Sequence, residues 1–196
     1  MTKDKIMKAL TYDDLKAIIN KNQLQFFTGD KSINLVGIRT SNKITNKFED
    51  ILLLAYVKDG KKSLLKYDKF TTRPGFKYMV TTLLNPKGCA VVIPGQHSGI
   101  WKFGKHKGKY PALVQIGNTI TVGRDGNRNY DIDYTKTTTG FFGINMHHAN
   151  GNPTVGGYSA GCQVFQYPSD LDEVLFHCHH QRTDSFSYTL LTLDQL

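Results

Sequence analysis

A histidine and a cysteine flank one glycine-rich stretch of this chain in an order that suits thiol chemistry. His147 closes the apolar run 141–146, and Cys162 stands just before a second apolar run, 164–165. Two neighbouring strands joined by the intervening loop would bring the imidazole to the thiol. Because only a few per cent of a cysteine is thiolate at neutral pH, a positioned imidazole raises the reactive fraction. We predict Cys162 as a nucleophile and His147 as its base.

The residues that precede the cysteine, Ser159-Ala160-Gly161, carry a second expectation. A glycine lets backbone N–H groups approach a substrate carbonyl closely, so the backbone around Gly161 and Cys162 is predicted to form an oxyanion hole. The alternative is a packed core cysteine that follows a turn, with His147 an ordinary strand histidine.

The order of an apolar run with histidine, a loop and Ser-x-Gly-Cys resembles the active-site motif of the L,D-transpeptidase catalytic domain family, which has the YkuD-like fold. A phage and bacterial subgroup with a His…Ser-Ala-Gly-Cys motif looks more similar still. The resemblance covers roughly the second half of the chain. It implies a cysteine enzyme that attacks peptidoglycan stem peptides, in which the backbone carbonyl of His148 orients the imidazole of His147. Ser159 and Gly161 occupy the family's Ser/Thr and Gly positions.

Three positions depart from the family pattern. Ala160 replaces a histidine, Val164 replaces an arginine, and His148 stands where glycine is common. The losses at 160 and 164 remove groups that could contact substrate carboxylates. We therefore expect hydrolysis, as an endopeptidase or carboxypeptidase in phage lysis or wall entry, rather than cross-linking. A non-enzymatic wall-binding or virion structural protein on the same fold is the alternative.

Three further side chains are candidates for substrate binding. Aromatic rings stack on sugar and peptide faces, so Tyr158 and Trp101 could frame a groove. His97 lies on a predicted turn and could line a cleft. Both aromatic residues could equally belong to the core, and the core is favoured for Trp101.

Oxygen-bearing side chains also recur at alternate positions, as in a calcium-binding loop: Asp125, Asn127, Asn129, Asp131 and Asp133. However, Tyr130 stands where such a loop needs glycine, and Lys136 stands where it needs a bidentate glutamate. The alternative is a turn in which these side chains bond their own backbone. A structural calcium ion is thus a possible ligand, and the thiol chemistry requires no cofactor.

The composition of the chain limits the classes of binding partner to be expected. The chain has 196 residues, 39% of them hydrophobic, and a formal net charge of +9. This charge favours anionic partners such as the polymers of a bacterial wall, so we expect peptidoglycan to be the partner. Zinc-finger, RNP-type and P-loop patterns are absent, and nucleic acid is not expected. The three cysteines are an odd number and argue against a disulfide framework.

Targeting signals give an expectation for location. The first residues contain no apolar segment typical of an export signal, and no later segment approaches a membrane span. We expect a protein that stays in the cytoplasm of the producing cell until lysis, or that is associated with a virion.

The elements that must position these residues are predominantly β. A capping box at Thr11–Asp14 predicts a helix over 11–21, and another at Ser169–Asp172 begins a helix with an apolar stripe at Leu171, Val174, Leu175 and Cys178. Apolar-rich or alternating runs predict strands over 33–40, 50–58, 63–70, 88–93, 99–104, 112–117, 119–123, 141–147, 163–165 and 189–192, with a tight turn at Asn118 between two of them.

These elements predict a mainly β, sandwich-like domain of the L,D-transpeptidase type with two peripheral helices. Residues 1–85 are expected to be an N-terminal helix and strands that belong to the same fold. Residues 86–196 are expected to be the catalytic region.

Overall fold

The computed structural model describes residues 1–80, 84–127, 129–132, 134, 136–181 and 183–196. Its helices are α1 (Lys3–Ala9), α2 (Tyr12–Lys21), α3 (Phe76–Val80) and α4 (Pro168–His179), with a final 3-10 turn at Leu193–Gln195. Its strands are β1 (Ile33–Arg39), β2 (Asp50–Lys58), β3 (Lys61–Thr71), β4 (Cys89–Val92), β5 (Gly95–His106), β6 (Tyr110–Gln115), β7 (Ile120–Asp125), β8 (Thr137–Gly140), β9 (Met146–His148), β10 (Gln163–Phe165) and β11 (Phe186–Thr192). No helix in these ranges is long and apolar enough to cross a membrane.

Eight of the strands close into a barrel in the order β1-β11-β5-β6-β9-β10-β3-β2, and β4-β7-β8 form a separate three-stranded sheet. The prediction of a mainly β fold is confirmed. The prediction of a sandwich is wrong, because β1 pairs on one side with β2 and on the other, in parallel, with β11. That second pairing closes the sheet on itself and removes its free edges.

The closed sheet is apolar on both faces at β1 and β2. Leu52 and Leu54 face the main core with Trp101. Their neighbours Ile51 and Leu53 face outward and pack against α1 and α2. Because side chains alternate along a strand, a run that is buried throughout means that both faces of β2 are covered. The N-terminal helices therefore form an outer layer over β1 and β2.

The helix predictions succeed where the signal is local. In α2, Thr11 Oγ1 accepts from the backbone N–H of Asp14 at 3.2 Å, and Asp14 Oδ2 accepts from the N–H of Thr11 at 2.9 Å, as a capping box requires. The predicted stripe of α4 is buried in the main core. Its predicted capping box is wrong: the helix begins at Pro168, and its N-cap residue, Tyr167, makes no side-chain cap bond. Helices α1 and α3 were not predicted.

Two predicted strand features differ in the structure. The turn at Asn118 does not join a hairpin, because β6 pairs with β5 and β9 while β7 pairs with β4 and β8. The predicted strand 141–147 is ladder-paired only from Met146 onward. Upstream of it, Gln115 replaces a neighbouring strand: its Oε1 accepts from the N–H groups of Phe142 and Ile144, both at 3.0 Å, and its Nε2 donates to the carbonyl of Gly140.

Candidate active site

Strands β9 and β10 bring the predicted nucleophile and base to one face of the barrel wall. The two strands are parallel, and Val164 lies opposite His147 in the register. Because side chains alternate, Val164 and His147 project from the same face, and so does Cys162, two residues before Val164. Cys162 and Val164 pack in one apolar cluster with Phe48, Ala149 and Val155. Cys162 itself lies one residue before β10, and His147 is not among the described residues that line the cavity at its thiol.

The imidazole of His147 is held by the backbone of the next residue. Its Nδ1 lies 3.0 Å from the carbonyl oxygen of His148 and 3.2 Å from the hydroxyl of Tyr110, which itself donates to that carbonyl at 3.1 Å. A ring nitrogen facing a carbonyl must donate, so we assign the proton to Nδ1 and leave a lone pair on Nε2. This carbonyl contact is the one that the family resemblance implies for His148.

The other nitrogen of His147, Nε2, is the atom predicted to act as the base. Nε2 is buried and has no hydrogen-bond partner among the described residues. Burial, followed by the neighbouring His106, lowers the pKa of His147 to about 3. The ring is therefore neutral at pH 7, and burial makes Nε2 a weak base.

The thiol of Cys162 is partly buried and donates to the carbonyl oxygen of Gly143 at 3.4 Å. Burial raises the pKa of Cys162 to about 11, against the smaller opposing effects of the Asn145 backbone N–H and of Lys107. At neutral pH the site thus holds a protonated thiol and a neutral imidazole rather than an ion pair. Both shifts disfavour a preformed thiolate–imidazolium pair, so any transfer of the thiol proton to His147 would have to accompany attack on a substrate.

The turn before Cys162 is organised by Ser159. Its Oγ accepts from the N–H of Gly161 at 3.1 Å and donates to the carbonyl of Cys162 at 2.8 Å. Gly161 has φ of +135°, and a Cβ there would lie 2.7 Å from the carbonyl oxygen of Ala90. Only glycine fits this backbone and this close approach. Since the N–H of Gly161 is bonded to Ser159, it is not available for an oxyanion, and the N–H of Cys162 is the candidate donor at this turn.

A cavity of about 350 Å³ opens at Cys162, and Tyr158 and Ala160 also line it. Trp101 and His97, the other two predicted substrate contacts, do not line it. Trp101 is fully buried in the main core, where its Nε1 donates to the carbonyl of Ile144 at 2.7 Å. The Nε2 of His97 lies 3.0 Å from the carbonyl oxygen of Ile93. Of the three predicted contacts, the structure brings only Tyr158 to the cavity.

His106 is a site residue that the sequence does not point to. Its position among lysines in the sequence suggests a solvated side chain. In the structure, however, His106 is only 7% exposed and lines the cavity. Asn145 fixes its orientation: the amide oxygen of Asn145 accepts from Gln115, so its Nδ2 donates to His106 Nδ1 at 3.1 Å. The proton of His106 is then on Nε2. No spacing signals this role, because β6 separates β5 from β9 in the sheet.

The candidate calcium ligands bond to their own backbone. Asp125 Oδ2 accepts from the N–H of Tyr130, Asn127 Oδ1 from that of Asn129, and Asn129 Oδ1 from that of Asp131, at distances of 3.0 to 3.1 Å. These are the bonds of the turn alternative. Asp133 lies outside the described residues. Within the described part of the chain, no group of three or more His, Cys, Asp or Glu side chains could hold a metal, and calcium stays a prediction.

No family model, curated protein or solved structure matches this chain. The resemblance to the L,D-transpeptidase family therefore rests on the motif residues of the sequence alone.

Proposed function

We propose that this protein is a cysteine-dependent acyl-transfer enzyme that acts on peptidoglycan stem peptides. The observation that carries the proposal is the state of His147: Nδ1 is anchored to the His148 carbonyl, and Nε2 is buried without a partner on the face shared with Cys162. Leaving a buried polar atom unpaired costs on the order of 1–3 kcal/mol. A role for Nε2 as the acceptor of the thiol proton during the reaction would explain why the fold tolerates this unpaired nitrogen.

The reaction follows from this arrangement. The sulfur of Cys162 attacks the carbonyl carbon of a peptide bond while its proton passes to His147 Nε2, and the N–H of Cys162 donates to the oxyanion. Collapse of the tetrahedral intermediate breaks the C–N bond, and His147 returns the proton to the leaving amine. Water, deprotonated by the same imidazole, then attacks the thioester and releases the acid and the free thiol.

Hydrolysis is the expected outcome in preference to cross-linking. Ala160 lines the cavity at the position where the resembling family has a histidine. A methyl group there holds no acceptor amine, so water competes well for the thioester. The net charge of +9 suits attachment to an anionic wall, as phage lysis or wall entry would need.

One observation favours a non-enzymatic wall-binding or virion protein instead. The thiol of Cys162 donates to Gly143 rather than to His147, and its pKa is raised to about 11. A thiol in that state is less nucleophilic than an activated one at neutral pH.

Digestion of purified sacculi decides between the two. Wild type should release soluble fragments identified by mass spectrometry, and Cys162→Ala should release none. Cys89→Ala is the matched control, because Cys89 is a second thiol on the same cavity. It should keep its activity. Equal release by wild type and Cys162→Ala would remove the cysteine mechanism.

A further inference from the structure

A second cavity, of about 690 Å³, lies beside the thiol cavity along the sheet β4-β7-β8. Arg124, on β7, lines both cavities. Lys107 adds a cation to the first cavity, and Lys87 and Lys136 add two to the second. Among the described residues that line either cavity there is no Asp or Glu. The two cavities therefore adjoin at Arg124, and their described lining carries four cations.

Arg124 is fixed in place without an acidic partner. Its Nη1 donates to the carbonyl of Gly88 at 3.0 Å, and its guanidinium lies 5.3 Å from the ring centroid of Phe142. No carboxylate in the described part of the chain lies within ion-pair distance of it. A guanidinium that is oriented by a carbonyl and a ring keeps its remaining N–H groups for an anionic ligand.

We propose that the second cavity binds the carboxylates of the same peptide whose carbonyl reaches Cys162, so that the protein selects acidic peptides over amidated or neutral ones. This inference rests on the proposed function and names its substrate class. The carboxylates lie against Arg124, Lys87 and Lys136, while the reacting carbonyl lies in the smaller cavity. Positive charge that no carboxylate among the described lining residues balances attracts anions and disfavours neutral ligands of the same shape.

The placement of Val164 changes what the sequence implied about this charge. The resembling family has an arginine at that position, but Val164 is fully buried in the cluster with Phe48, Ala149 and Val155. The cations of this chain come from other places: Lys87 precedes β4, Arg124 is on β7 and Lys136 precedes β8. Acidic substrates are thus held by the three-stranded sheet and not by the strand that carries the cysteine.

The test uses the full chain with Cys162→Ala, so that binding is measured without turnover. Two synthetic peptides of one sequence, one with free carboxylates and one with the same groups amidated, are titrated by calorimetry. We expect the acidic peptide to bind about tenfold more tightly, and added salt to reduce this difference. Lys87→Gln and Lys136→Gln should each lower the affinity for the acidic peptide by about threefold to tenfold and leave the affinity for the amidated peptide unchanged.

Lys61→Gln is the matched control, since it removes the same charge from an exposed position at the start of β3, and Lys61 lines neither cavity. Equal affinity for both peptides, no binding of either, or an equal loss in Lys61→Gln overturns the proposal. So does preferential binding of a phosphate-rich wall polymer that the acidic peptide does not displace.

Turnover by the chain with Cys162 intact separates the two proposals. Cleavage that is independent of peptide charge would contradict the proposed carboxylate binding and support the enzymatic function. Charge-dependent binding without any cleavage would support the carboxylate binding and contradict the enzymatic function.

Discussion

The imidazoles of His106 and His147 stack on each other, with ring centroids 3.8 Å apart and planes inclined by 21°. Two charged rings at this distance would repel each other, and both rings are buried. The pKa of His106 is lowered to about 4 and that of His147 to about 3, in each case mainly by burial. Their backbone and amide partners select opposite tautomers. The pair therefore offers one bare nitrogen, on His147, and one N–H donor, on His106.

The resting state of the thiol gives a prediction about its alkylation. Because burial raises the pKa of Cys162 to about 11, the thiolate fraction should rise about tenfold per pH unit from pH 7 upward. Iodoacetamide labelling, located by peptide mass spectrometry, should follow that slope without a plateau near neutral pH. Cys162→Ala should lose the labelled peptide. A plateau between pH 6 and 8 would instead indicate a preformed thiolate–imidazolium pair.

The two adjacent histidines should differ sharply on substitution. His147→Ala removes the proposed base and should lower the turnover rate by about 10²- to 10⁴-fold. His148→Ala keeps the backbone carbonyl that orients His147. The side chain that it removes accepts from the N–H of Asn150 and stacks on Tyr110, so the loss should be much smaller. Rates measured on one defined muropeptide check this. Equal losses would mean that the base is misassigned.

The depressed pKa values of the stacked pair predict loss of stability in acid. In the unfolded chain a histidine binds a proton below about pH 6.5, whereas the folded pair resists protonation down to about pH 3–4. The unfolded state then binds more protons, so the free energy of unfolding should fall as the pH drops from 6.5 towards 4. For His147 the loss amounts to about 1.4 kcal/mol for each pH unit in this window.

Thermal unfolding followed by circular dichroism from pH 7 to pH 4 measures that loss. His147→Gln should have a flatter dependence of Tm on pH than wild type. His179→Gln, which changes an exposed histidine on α4, should keep the wild-type slope. Parallel slopes for all three proteins would contradict the assignment.

The sequence predicts those parts of the fold that depend on residues close together along the chain. The capping box of α2, the stripe of α4 and the whole of β2 follow from residues within a few positions of one another. Barrel closure does not, because it depends on β1 meeting β11 from the far end of the chain. The segment before Met146 looks like a strand since it is apolar, but one side chain, Gln115, takes the place of its partner strand.

The residues of the candidate site also differ in whether the sequence predicts them. Cys162 and His147 are found because they flank one loop, and Ser159 and Gly161 because they precede the thiol. His106 and Arg124 lie on β5 and β7 and reach the cavity only through the sheet order. For Trp101 the sequence leaves a groove and the core open and favours the core, and the structure places the side chain in the core.

Among the glycines of the site, Gly161 should be the one at which substitution by alanine lowers stability most. Gly161→Ala would place a Cβ 2.7 Å from the carbonyl oxygen of Ala90 in addition to straining a positive φ. Gly151 also has a positive φ, of +78°, but open space around it, so Gly151→Ala reports the backbone strain alone. We expect a loss of about 1 kcal/mol for Gly151→Ala and at least twice that for Gly161→Ala, measured by urea unfolding. Equal losses would mean that the contact with Ala90 relaxes without cost.

The fate of the acyl-enzyme is the last prediction. A cross-linking enzyme must hold a second peptide so that its amine reaches the thioester before water does. Here the wall of the cavity beside Cys162 carries the methyl group of Ala160, which offers an amine no hydrogen bond. Water should therefore resolve the thioester. Incubation of defined muropeptides with excess D-amino acid, followed by mass spectrometry, should give shortened peptides ending in a free acid.

Restoring the family's side chain tests the cause. Ala160→His places an imidazole on the cavity wall, and it should raise the share of D-amino acid exchange over hydrolysis if this wall sets the outcome. Ala160→Leu is the control of comparable bulk without a polar atom, and it should leave that ratio unchanged. Exchange or dimer formation as the main product of the wild-type protein would overturn the prediction, because the acceptor would then be held by groups other than residue 160.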